Sequence, residues 1–98
     1  MWIGWLELDL LLGEVHSLKE KRSVVRPLVA GIRRHHEVSV AEVAHLDLHR
    51  RAGVGVGVVA SSRAHVVAVL DAVEDYVARR PELDLVSARR GLRTSDDD

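Results

Sequence analysis

The chain has 98 residues, 14 Lys and Arg against 15 Asp and Glu, and a formal net charge of −1, which makes one domain and excludes an all-over polybasic nucleic-acid binder while leaving room for a local basic patch. It contains no Cys, so disulfide frames and thiolate chemistry are excluded, and no Asn or Gln, two usual side chains for adenine recognition and oxyanion holes. No apolar run reaches membrane-spanning length, and Glu7 and Asp9 interrupt an N-terminus that also lacks a basic leader, so a cytoplasmic protein without a membrane role is expected.

Trp2 to Leu12 alternates Leu6, Leu8 and Leu10 against Trp5, Glu7 and Asp9, the pattern of a half-buried strand. Gly13-Glu14-Val15-His16 then turns into a helix announced by Ser17 and Glu20, a capping box in which the hydroxyl accepts from the Glu20 N–H and the glutamate reaches back to Ser17. Val24, Val25, Leu28, Val29 and Ile32 mark its apolar face. Pro27 predicts a kink or two short pieces, with an end near Arg34 to His36. His35 and His36 suit the negative end of that helix.

Glu37 to Ala44 reads as a second strand and His45 to Arg51 as a polar connection or its continuation. Ala52 to Ala60 is a third strand, in which Val54, Val56 and Val58 alternate with Gly53, Gly55 and Gly57 so that one face packs and the other is bare backbone. Ser61 or Ser62 caps a second helix with Val66, Val69, Leu70, Val73, Tyr76 and Val77 on its apolar face, stopped by Pro81. Leu83 to Ala88 is the last strand, and residues 93–98 are expected to be a disordered acidic tail behind a domain spanning 1–92.

The order βαββαβ predicts an α+β, ferredoxin-like sandwich: a four-stranded antiparallel sheet with two helices on one face. The first and third strands become central neighbours, with Leu6, Leu8, Leu10, Val54, Val56 and Val58 buried and Trp5 beside the glycine row on the uncovered face.

The Ser17-Leu18-Lys19-Glu20-Lys21-Arg22 stretch, Val24-Val25, Val38-Ser39-Val40-Ala41-Glu42-Val43, Asp47-Leu48 and Arg51-Ala52 resemble the YlxP-like family, a bacterial domain of unknown function, from about Trp2 to Leu92. The resemblance implies a ferredoxin-like fold and, from the family's company among translation and ribosome-maturation genes, a link to the ribosome or its RNA. It brings no catalytic residues with it. His49 stands where relatives often carry an aromatic.

Lys19, Lys21, Arg22 and Arg26, with Arg50 and Arg51, form the candidate phosphate-binding set, suited to backbone contacts with ribosomal RNA or a ribosomal subunit. Trp5 with Gly53, Gly55 and Gly57 forms a candidate self-association surface for a homodimer. His45, Asp47 and His49, spaced by two, would share one side of an extended strand and suit a divalent metal, but the spacing also suits a polar hairpin, and no metal site or cofactor is expected. Gly13 to Ser17 is superficially similar to the phosphate loop of acylphosphatases, yet its arginine position falls on Lys21 and the required asparagine is missing. His16 beside Ser17 lacks a third group, so an enzyme is not expected.

Overall fold

A computed structural model describes residues 1–96. Strand β1 (Trp2–Leu12), helix α1 (Leu18–His35), strands β2 (Ser39–Ala44) and β3 (Arg51–Ala60), helix α2 (Arg63–Ala78) and strand β4 (Leu83–Thr94) follow in chain order. The four strands pair antiparallel in the order β2-β3-β1-β4, and both helices pack on one face of the sheet. This is the ferredoxin-like sandwich that the alternating leucines and valines imply.

The alternation sets the register. Leu6, Leu8 and Leu10 lie opposite Val56, Val54 and Ala52, all buried beneath the helices, and Val58 completes the row. From α1 come Val25, Leu28 and Ile32; from α2 come Val66, Leu70, Val73 and Val77. Gly4 is the point of closest approach: a Cβ there would collide with Val66 Cγ1 and lie 3.1 Å from Leu70 Cδ1. Glycine at this position lets α2 settle onto β1.

Both helix starts are capped as their serines imply. Ser17 Oγ accepts from the Glu20 N–H (3.1 Å) and Ser62 Oγ from the His65 N–H (3.2 Å). The Glu20 carboxylate reaches one residue further back than expected, accepting from the His16 N–H at 3.3 Å. Helix α1 runs through Pro27 as one element instead of two pieces. Pro27 and Ser23, whose carbonyl loses its usual donor, are both exposed, on the side of the helix away from the core.

Two strands differ from expectation. Strand β2 begins at Ser39 because residues 36–38 turn the chain, His36 N–H donating to Ile32 O and Val38 N–H to His36 O. Strand β4 continues from Ala88 to Thr94 and pairs along the whole of β1, to Trp2 opposite Thr94. Arg93 and Thr94 thus belong to the sheet, and the Ser95 N–H donates to Met1 O; the end of the expected tail, residues 97–98, lies outside the described residues. A bulge opposite Asp9 and Leu10 leaves Val86 unpaired and exposed.

Replacing Gly4 by Ala is expected to lower unfolding stability by about 1–3 kcal/mol through overpacking against the stiff Val66 side chain. Urea unfolding of the variant beside the wild type checks this.

Candidate functional site

Three regions hold the residues singled out by the sequence: the outer side of α1, the loop between β2 and β3, and the sheet face that the helices leave open.

Lys21 corrects the first set. Its position falls in line with Val25, Leu28 and Ile32 on the buried face, and it is 2% exposed. Its Nζ donates to His45 O and Leu48 O, both at 2.7 Å, and lies 2.7 Å from Glu42 Oε2. Two hydrogen bonds and an ion pair enclose the ammonium, so it is engaged inside the protein and is not free for phosphate. Arg51 is also engaged, its Nη2 donating to Asp9 Oδ2 at 2.5 Å. Arg50 donates from Nε to Leu12 O (3.3 Å) while its residue remains exposed.

Lys19, Arg22 and Arg26 behave differently. All three are exposed, and spacings of three and four residues place them on one stripe of α1. Arg33 continues that stripe seven residues on and donates from Nη2 to Val40 O (3.0 Å), so the stripe overlooks the free edge of β2.

The β2–β3 loop does not form the strand that the His45, Asp47 and His49 set requires. Strand β2 ends at Ala44, and His45 adopts a left-handed φ of 57°, which breaks the extended path. His45 Nε2 instead lies 3.5 Å from Asp9 Oδ1, while Asp47 and His49 remain exposed in the loop. Among the described residues no group of three or more His, Asp or Glu is placed to hold a metal ion.

Asp9 is the hub of the polar half of the open face. The hydrogen bond from Arg51 holds its carboxyl below the usual range, against the opposing effect of burial, and the charges of Arg51, His45 and Arg89 add to it. Glu7 pairs with Arg89, its neighbour across β1 and β4. Glu7, Asp9, His45, Ser87 and Arg89 line a hollow of about 270 Å³. A histidine that activates a serine must stand between serine and carboxylate. Here Ser87 is on β4 and His45 at the end of β2, with Asp9 on β1 between them. This order does not suit a relay.

The apolar half of the face differs in detail from the bare glycine row expected. A Cβ on Gly53 would lie 2.6 Å from Ala44 Cβ, and one on Gly55 3.0 Å from Val43 Cγ1, because the bulge near Ala44 lays β2 over β3. Gly53 is therefore covered and leaves the self-association set, Gly55 is partly covered, and only Gly57 of the three is open. Trp5 lies opposite Gly57 in register, but its ring turns the other way and rests on Gly91 of β4. Sequence reasoning missed Gly91, a single glycine in a polar segment; its signal was its place in register with Trp5.

Lys21→Met is expected to cost roughly 3 kcal/mol or more, since it strands Glu42 and two loop carbonyls without their cation. Urea unfolding measures it. For Asp9, a folded pKa below the unfolded value means that the pairing stabilises above about pH 4 and is lost as pH falls through the folded value. The stability gap between wild type and Asp9→Asn should thus be full near pH 7 and close on acidification, as followed by urea midpoints across pH.

Comparison with known proteins agrees with this architecture. Over 98% of this chain and 88% of its own, a de novo designed protein with ferredoxin fold superposes with a TM-score of 0.54 at 11% identity, a likeness of fold alone. The uncharacterized protein YlxP of Bacillus subtilis (strain 168) is 29% identical over 87 residues, which span 89% of this chain and 95% of the relative. Residues 3–90 match the family described as "Protein of unknown function (DUF503)", and the chain belongs to that family.

Proposed function

We propose that this protein is a non-catalytic, cytoplasmic accessory module that binds ribosomal RNA or a ribosomal subunit through backbone phosphates, with α1 as the contacting element. The supporting observation is the uneven pairing of its cations. Arg51, Arg79, Arg89 and Arg90 each hold a carboxylate. Lys19, Arg22 and Arg26 have no carboxylate partner among the described residues, nor do Arg50, Arg63, Arg80 and Arg93 elsewhere, but on α1, with six Lys and Arg and a single Glu, such cations share one stripe.

A stripe of exposed, unpaired cations attracts a polyanion without reading its sequence. Arg50, exposed at the end of the fold where α1 begins, extends the set, whereas Lys21 and Arg51 serve the fold. Trp2, Trp5 and Tyr76 are the only aromatics, so base stacking contributes little. The choice of ribosomal RNA among polyanions rests on the company that the YlxP-like family keeps, not on geometry. The open sheet face favours a second and compatible role in self-association, because Trp5 stands 42% exposed on it.

Filter binding to ribosomal RNA across a salt series tests the first reading. Affinity should fall with salt at a log–log slope of about −0.7 to −0.9 per phosphate contact. Replacing Lys19, Arg22 and Arg26 together by Ala should flatten the slope by roughly two to three units, with the thermal unfolding curve unchanged. Arg51→Ala should leave the slope as it is. Equal slopes for wild type and the triple variant would overturn the reading.

A further inference from the structure

The open face of the sheet combines a ridge and a groove of matching character. Trp5 is the ridge, braced from beneath by Gly91, whose lack of a side chain gives the indole its seat. Beside it runs a groove of about 460 Å³ between Trp5 and Val43, with Ser39 and Ala41 along the wall and Gly55 and Gly57 in the floor. Nothing lies within 4 Å of where a Gly57 Cβ would stand. Ile3 and Val59, opposite each other in register, extend the apolar surface, and Val59 is 62% exposed.

We propose that the occupant of this face is a second copy of the chain, packed face to face about a two-fold axis, with Trp5 of each copy seated in the Gly55–Gly57 groove of the other. This deepens the self-association role named above and is independent of the RNA reading.

Four features carry the inference. A ridge beside a complementary groove on one surface is what an isologous interface requires. Across such an axis the two indoles lie side by side, in the offset arrangement that aromatic pairs prefer. The central charges of the face are matched within each copy, Glu7 with Arg89 and Asp9 with Arg51, so closing its middle strands no lone ion. Exposed Arg93 and Asp84, opposite Ile3 and Leu11 on the edge strand β4, stay at the rim. The size is adequate: four strands about 4.8 Å apart and about 30 Å long give on the order of 600 Å² per copy before side-chain relief is counted, close to the roughly 800 Å² per partner of a standard interface.

Edge-to-edge pairing is disfavoured by comparison. Arg33 occupies the Val40 carbonyl on the free edge of β2, and the exposed edge strand β4 carries Arg89, Arg90 and Arg93.

Sedimentation equilibrium of the full chain, without RNA, from low micromolar to millimolar concentration tests the proposal. The wild type should approach twice the chain mass as concentration rises. Trp5→Ala and Gly57→Thr should each weaken self-association by about tenfold or more, as expected for a central anchor and its pocket. Thr suits a strand, and the space at Gly57 accepts its Cβ, so circular dichroism and thermal unfolding of that variant should match the wild type. Gly13→Ser, in an equally open turn away from this face, should dimerise normally. The triple α1 variant should also dimerise normally, which separates failure here from failure of the RNA reading. A wild-type chain that stays monomeric at millimolar concentration overturns the proposal, as does a dimer that survives both face variants. A monomer whose RNA affinity falls with Trp5→Ala would overturn it too, and would assign the face to RNA.

Discussion

The buried ammonium of Lys21 ties together parts of the chain that periodicity alone would leave loose. Helix α1 could sit on the sheet through Val25, Leu28 and Ile32, but nothing apolar in the β2–β3 loop would fix that loop against it. One cation at the first turn of α1 does so by collecting the His45 and Leu48 carbonyls and the Glu42 carboxylate. Since an unpaired charge at 2% exposure is costly, the loop is held in whatever conformation presents those acceptors. That conformation includes the left-handed backbone at His45, a residue type that tolerates it better than a β-branched one would. From there the His45 imidazole reaches toward Asp9, with Nε2 3.5 Å from Oδ1. A single interaction on the helix side therefore shapes the polar end of the open face.

The remaining charges divide along the layers of the sandwich. In the middle of the sheet Glu7 pairs with Arg89 opposite it and Asp9 with Arg51 on the neighbouring strand. Arg90 points the other way, toward α2, where Asp71 and Glu74 receive it at 2.8 and 2.9 Å. Helix α2 carries three acids and a single Arg, and so supplies carboxylates to β4. Helix α1 has no such neighbour. Its outer stripe looks over the edge of β2, whose one carboxylate, Glu42, is taken by Lys21 from the inner side. The unpaired cations are thus a consequence of topology as well as of composition.

This division also explains which parts of the molecule were legible in the sequence. Both caps, the leucine row of β1 and the valine row of β3 are local patterns, decided by residues two to four positions apart, and the fold follows from them. The latter half of β4 was hidden because its helix-facing positions include Arg90 and Ala88, where an alternating strand would show large apolar residues; partners on α2 make the arginine acceptable there. The loss of Lys21 from the phosphate set was partly legible, for a lysine four, seven and eleven residues before Val25, Leu28 and Ile32 stands on the apolar face. Its acceptors were not, since two are backbone carbonyls 24 and 27 residues away. Trp5 has a glycine on either side in register, Gly57 and Gly91, and its ring takes the Gly91 side although Gly57 is open, a choice that no local pattern announces.

The two candidate surfaces lie on opposite layers, and this bears on how they could act together. A face-to-face dimer would cover the sheets and leave both α1 helices outermost, so that neither role blocks the other. Sheets packed face to face stand about 10 Å apart, and each helix layer adds about as much again. Two stripes held rigidly apart on opposite sides cannot follow one short phosphate run, but they can bridge separate segments of a folded RNA. Linking the two contacts makes the second one intramolecular, so a modest charge stripe gains avidity without any new contact. In a protein whose net charge is −1, that gain would come from symmetry, with no need for further lysines.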